Sequence, residues 1–264
     1  MPAVTAAPVG RVAFVGAGPG QADLITLRGA QRLAQAAVVL SDALADPALR
    51  ELAPQARWLH VGKRGYADST GQEAINALLI KCGRDVGPAG LVVRLKGGDP
   101  SIFGRLEEEL QAMAAAGIAC EVVPGVTAAL AAAASAQRPL TRRGAGRSVS
   151  FATAMTATGT PDAGACRHAD TEVFYMAGKQ LGALSRKLVR TGWSGETAVS
   201  VVSRAGWPDE LSSDHTIASL GQATMLHTGR PTVVVVGAGA RALNPVESTA
   251  VEKDCAPWTA ALNT

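Results

Sequence analysis

"LVVRLKGGDPSIFGR", Leu91 to Arg105, is the stretch whose reading decides the fold. Leu91 to Lys96 is a short aliphatic and β-branched run of the kind that fills a buried strand. Gly97 and Gly98 then dispense with two consecutive side chains, Asp99-Pro100 marks a turn, and "FGRLEEELQAMAAAG" resumes as a helix. Strand, glycine turn and helix form the unit from which parallel α/β sheets are built, and such turns lie on the carboxyl edge where open sheets bind ligands. Bare amides and carbonyls at that edge suit a flat molecule that must approach the backbone closely.

The same alternation extends in both directions. "RVAFVG", "AVVLSD" and "CEVVPG" read as further strands of the first half, with helices over "ADLITLRGAQRLAQA" and "GQEAINALLIKCG". "VTAALAAAASAQ", after Pro124-Gly125, is an alanine-rich helix able to lie tightly on a sheet. Beyond it, "SVSFAT", "TEVFYM", "AVSVVS" and "TVVVVG" read as four strands, with helices near "GKQLGALSRKLVRTG" and "TIASLGQATMLH". The expected architecture is therefore α/β, two domains with mainly parallel sheets: an extension over 1–10, a first domain over 11–125, a second over 126–242 and a tail of low order over 243–264.

Composition narrows the function. At 264 residues, 47% hydrophobic and 18% charged, the chain describes a globular protein with a sizeable core. A formal charge of +3, dispersed along the chain, does not mark a nucleic-acid surface and leaves a small anionic partner as the better expectation. Cys82, Cys120, Cys166 and Cys255 form no CxxC pair, and His60, His168, His215 and His227 are scattered, so neither a disulfide framework nor a metal site is expected. With no basic leader and no long apolar run, the reading is a cytoplasmic protein without a membrane segment.

A second glycine loop, "VGAGPGQADL", follows the first strand. It departs from the dinucleotide fingerprint, because Gln21 stands where the third glycine belongs and Pro19 lacks an amide hydrogen. Asp42, at the end of the second strand, stands where a ribose-binding acid could, which keeps a nicotinamide-dependent oxidoreductase open as an alternative. Gly16, Gly18 and Gly20 could equally serve only a tight turn.

Taken in order, "VGAGPGQADLITL", "VGKRG", "VRLKGGDPSIFGR" and "PGVTAA" resemble the uroporphyrinogen-III C-methyltransferases of the tetrapyrrole methylase family, from about Arg11 to Gly237. The resemblance implies two α/β domains with S-adenosylmethionine folded in the cleft between them, a homodimer, and no metal. Carried over by motif, Gly97, Gly98, Asp99 and Ile102 would contact the methyl donor, with Pro19, Thr127, Ala128, Met176, Ala205 and Thr232 completing its pocket. Read singly, Met176 could be plain core and Thr127 a helix N-cap.

The implied reaction is in-line attack of a pyrrole carbon on the sulfonium methyl group, so alignment is the protein's main task. A proton must afterwards leave, and the resemblance assigns acid–base roles to Asp42 and Lys63, with Arg105 a further candidate for deprotonation or substrate handling. The anionic tetrapyrrole calls for fixed cations, for which Lys63, Arg64, Arg105, Arg142, Arg143 and Arg147 are the candidates. Glu108 is placed to orient Arg105 from one turn along the same helix. Leu106-Glu107, Thr141-Arg142-Arg143 and Thr153-Ala154-Met155 depart from the family pattern near the expected substrate site. A later precorrin methyltransferase is therefore the nearest alternative, and a catalytically silent tetrapyrrole or nucleotide sensor a third.

Overall fold

The computed structural model describes residues 10–62, 71–155 and 169–243, which separate into two compact units. The first takes in the described residues through Ala132, together with Val202–Leu211 and Arg230–Val233. The second comprises Ala133–Val201, Ser212–Gly229 and the described residues from Val234.

In the first unit, strands β1 (Arg11–Gly16), β2 (Val38–Ser41), β3 (Arg57–His60), β4 (Leu91–Lys96) and β5 (Cys120–Val123) form a sheet ordered β3-β2-β4-β1-β5, and every pairing in it is parallel. Successive side chains alternate between its faces. Val15, Val39, Val93 and Leu95 pack with Leu33 of helix α1 (Leu27–Ala34) and Leu49 of the 3-10 turn Pro47–Leu52. Val12, Phe14, Leu40 and Val92 pack against Ile75 and Leu79 of α2 (Gln72–Asp85) and Met113 of α3 (Leu106–Ala115). Because α1 and α3 cover opposite faces, the chain leaves β1 and β4 in opposite directions. The carboxyl ends of these neighbouring strands are thus the topological switch point, the place where open α/β sheets hold ligands.

The first unit ends in α4 (Ala128–Ser135), which crosses the division after Ala132. The second unit carries the larger part of a five-stranded sheet, β6 (Val149–Thr153), β7 (Thr171–Tyr175), β8 (Ala198–Ser203), β9 (Leu211–Thr216) and β10 (Thr232–Gly237), in the order β6-β7-β10-β8-β9. This sheet is mixed rather than mainly parallel: β6 and β7 run parallel, while β10 is antiparallel to β7. Its core joins Val199, Val201, Val234 and Val236 to Leu181, Leu184 and Leu188 of α5 (Leu181–Arg190).

Several elements differ from the sequence expectation. The first helix begins only at Leu27, because Thr26 accepts from the Gly29 amide at 3.1 Å and caps it there, leaving Ala22–Leu24 as a separate 3-10 turn. The stretch "TIASLGQATMLH" shortens to a 3-10 turn, Leu220–Ala223, and α6 (Thr224–His227). β3 and β9 were not anticipated: β3 has only Trp58 and Leu59 apolar between Arg57 and His60, and β9 is mostly polar, so no apolar run announces either.

Candidate functional site

At the switch point the two glycine loops are stitched to one another. Gly98 donates to the Gly18 carbonyl at 2.9 Å, Gly18 returns a bond at 3.3 Å, and the Ala17 amide donates to the Lys96 carbonyl at 2.8 Å. Gly16, Gly98 and Gly125 meet main chain to main chain. A Cβ on Gly16 would stand 2.6 Å from the Gly125 Cα, and one on Gly125 would stand 2.3 Å from the Gly98 carbonyl oxygen.

Gly97 and Gly98 are glycine for different reasons. A Cβ on Gly97 would meet that of Leu44 at 2.7 Å. Gly98 has φ +71°, a left-handed conformation costly to other residues, yet its missing Cβ faces open space, with only the Val126 carbonyl oxygen within reach at 3.9 Å. One of the two dispensed side chains therefore makes room for protein, and the other leaves a bare, accessible face. Asp99 fastens this loop to its surroundings: one carboxylate oxygen accepts from the Ser101 amide at 2.8 Å, the other from the Gly125 amide at 2.9 Å.

These contacts gather most of the residues singled out in the sequence. Pro19 follows Gly18, which pairs with Gly98; Ile102 donates its amide to the Asp99 carbonyl; Thr127 and Ala128 follow Val126, whose carbonyl borders the open face of Gly98. Pro19 and Thr127 are buried, and Ala128 and Ile102 half-buried. Thr127 stands at the amino end of α4, its carbonyl accepting from Leu130 and Ala131. Ala205, buried, enters through its neighbour: the Gln21 amide donates to the Gly206 carbonyl at 3.1 Å. Thr232 is buried, with its hydroxyl 2.7 Å from that of Ser203 and donating to the Arg230 carbonyl at 2.8 Å. Its hydroxyl is thus engaged within the protein. Met176 belongs to the second unit, where it is 41% exposed at φ 56°, so it is not core packing.

This geometry does not favour the nicotinamide alternative. The amides of Ala17, Gly18, Gln21 and Ala22 are all bonded within the protein, that of Ala22 to the Asp46 carboxylate at 2.9 Å, and Pro19 has none to offer. Those five positions therefore offer no free amide to a pyrophosphate cradle. Asp42, the supposed ribose acid, instead forms an ion pair with Arg94.

That ion pair opens onto a buried network with no single-residue signal in the sequence. Arg94 and Lys96 alternate onto the α2/α3 face of β4, and both are nearly inaccessible. The Arg94 guanidinium donates to Glu109 at 2.8 Å, to Asp42 at 2.6 Å, and to the carbonyls of Leu40 and Leu95. The Lys96 ammonium donates to the other oxygen of Glu109 at 2.5 Å. Burial, with Arg94 alongside, draws the Lys96 ammonium below its ordinary pKa despite this carboxylate. Asp42 is the most exposed member and lines a cavity of about 230 Å³ with Ser41, Arg50, Trp58 and His60.

Arg105 stands in the left-handed region at φ 53°, immediately before α3, and grips Glu108 with two bonds of 2.7 and 2.6 Å. The hydrogen bond from Arg105 holds the Glu108 carboxyl below the usual range, and Glu108 in turn raises Arg105 further. A guanidinium held this way is a fixed cation and a poorer base.

Lys63 and Arg64 lie outside the described residues. Arg142 and Arg143 belong to the second unit, where Arg142 donates to the Arg241 carbonyl and Arg143 is exposed, as is Arg147. Among the described residues, no group of His, Cys, Asp and Glu could hold a metal ion, and no helix is long and apolar enough to cross a membrane.

Comparison with known proteins accounts for this arrangement. The siroheme synthase of Baumannia cicadellinicola subsp. Homalodisca coagulata is 41% identical over 235 residues, 87% of this chain and 50% of its own length, so the chain spans about half of that relative. The uroporphyrin-III C-methyltransferase of Thermus thermophilus, complexed with S-adenyl homocysteine, superposes with a TM-score of 0.74 at 34% identity, over 86% of this chain and 97% of that one. A cobalt precorrin-4 methyltransferase of cobalamin biosynthesis superposes at 0.76 with 28% identity, over 88% of this chain and 96% of that one. Residues 11–221 match the family model of the tetrapyrrole (corrin/porphyrin) methylases, and the chain belongs to that family.

Proposed function

We propose that the protein is an S-adenosylmethionine-dependent C-methyltransferase that converts uroporphyrinogen III to precorrin-2 by methylation at C2 and C7. The observation that carries this reading is the open face of Gly98 at the switch point. A left-handed glycine whose missing Cβ faces open space, in loops that also carry the buried Pro19 and Thr127, fits the edge of a nucleoside-sulfonium donor. When bound, that donor supplies a methyl group already activated by positive charge.

The chain's own residues have three tasks in this reaction. The stitched loops of Gly18, Gly98 and Gly125 hold the donor's seat rigid, which favours in-line alignment. Asp42, held through one oxygen by Arg94, keeps the other for a proton leaving the substrate, directly or through water. Arg105, locked by Glu108, offers a permanently charged guanidinium to a substrate carboxylate. We assign Lys63, Arg64, Arg142 and Arg143 to further substrate carboxylates, and propose a cytoplasmic homodimer acting without nucleic acid or membrane.

The test is incubation with uroporphyrinogen III and isotopically labelled donor, with methyl groups counted by mass. Two transferred groups are expected. Methylation only of a later precorrin would instead support the neighbouring activity named by the cobalt precorrin-4 methyltransferase likeness. A companion variant, Gly98→Asn, tests the donor seat, because asparagine tolerates positive φ while filling the open face. It should fold normally yet bind S-adenosylhomocysteine at least about tenfold more weakly, a loss of about 1.4 kcal/mol. Unchanged affinity would refute the placement.

A further inference from the structure

Two adjacent residues of α3 reach two of the candidates of the site, Arg105 directly and Asp42 through Arg94. Glu108 grips Arg105 at the surface, while Glu109, wholly buried, receives both Arg94 and Lys96. Arg94 spans from Glu109 to Asp42, its remaining donors on the carbonyls of Leu40 and Leu95. Asp42, Arg94 and Lys96 share one face of the sheet, so the ion chain crosses from β2 through β4 to α3 without leaving the protein interior until Asp42. The stem of Lys96 also lies beneath the turn that carries Arg105: a Cβ on Gly104 would stand 3.1 Å from the Lys96 Cε.

We propose that Glu109 and Lys96 are positioning residues for Asp42, acting through Arg94, so that a single turn of α3 sets both Asp42 and Arg105. This rests on the methyltransferase reading above only for the reaction that Asp42 serves. Buried ion pairs give uncertain net stability against apolar packing, whereas their geometry is exacting, and here one carboxylate oxygen of Asp42, which lines a cavity, has no hydrogen-bond partner among the described residues. Among the described residues, the charged and titratable groups around Asp42 are Arg94 in contact, Lys96 and Glu109 behind it, and Asp46, Arg50 and His60 lining the same cavity.

The test uses the full chain with Glu109→Gln, Lys96→Met and the double variant, the last removing one charge of each sign and guarding against loss of fold in the singles. The first readout needs no substrate: the Asp42 carboxyl is followed by carbon-13 NMR and identified by its absence in Asp42→Asn. Each single substitution should displace the Asp42 carboxyl resonance, because both change the setting of the Arg94 guanidinium that holds it, while the carboxyl signals of Glu121 and Asp214 stay in place. The second readout is turnover. In the double variant kcat should fall about tenfold, while KM and S-adenosylhomocysteine affinity stay within about threefold, a pattern that mere structural damage does not produce. An Asp42 carboxyl resonance that stays put in both singles overturns the proposal, as does a folded double variant with full kcat. Wild-type protein that binds no S-adenosylhomocysteine and methylates nothing sinks the methyltransferase reading instead, and the NMR comparison of the Asp42 resonance still judges the network.

Discussion

Gly97 and Gly98 show why residue type alone does not assign a role. Gly97 is required by Leu44, so Gly97→Ala should destabilise the fold by about 1–3 kcal/mol through overpacking, read as a shifted denaturation midpoint. Gly98 is required by its backbone conformation, so Gly98→Ala should cost about 1–2 kcal/mol without any clash. For that reason a bulky branched residue at Gly98 would disturb the fold as well as the ligand, and asparagine is the cleaner probe. Asp99 carries a similar lesson: both its oxygens bind main-chain amides, so its part in a donor site is to shape the loop.

At the scale of the element, α1 and α3 begin by different physical means. Thr26 caps α1, and Thr26→Ala should cost about 1 kcal/mol in thermal or chemical denaturation. α3 starts from a left-handed Arg105 with no side-chain cap, and places Glu107, Glu108 and Glu109 in its first turn, where carboxylates suit the helix dipole. Removing the inward member leaves two cations buried without their shared carboxylate. Glu109→Ala should therefore cost roughly 3–5 kcal/mol, far more than the same change at the exposed Glu107, and paired denaturation curves would show the contrast. Comparable losses at both positions would contradict the buried network.

Across the whole molecule, acid stability follows from carboxylates tied to arginines in both units. Hydrogen bonds from Arg32 and Arg138 hold Glu121 and Asp214 below their ordinary values of 4.5 and 3.8. A depressed folded pKa means stability that is complete above the unfolded value and lost as pH falls through the folded one. The melting temperature should accordingly be flat down to about pH 5 and decline below the ordinary carboxylate range, with a shallower decline in Glu121→Gln and Asp214→Asn. Calorimetry across that interval checks it. Each pair is partly solvated, so salt should weaken the effect.

The sequence by itself determined the α/β class, the strand-turn-helix rhythm, the two glycine loops and the family, because β-branched runs, glycine turns and motif order are local signals. It did not determine β3 and β9, whose half-exposed residues acquire strand character only from their neighbours, nor the antiparallel entry of β10. For the site, Gly98, Asp99 and Arg105 were legible as a contiguous motif, whereas Arg94, Lys96 and Glu109 were not. Only the tertiary structure decided that Arg94 and Lys96 project from β4 onto the face where α3 lies, since charged residues in a strand ordinarily face water. Their burial is set by a carboxylate distant in the chain, and pairing over such a distance leaves no mark in any short stretch of sequence.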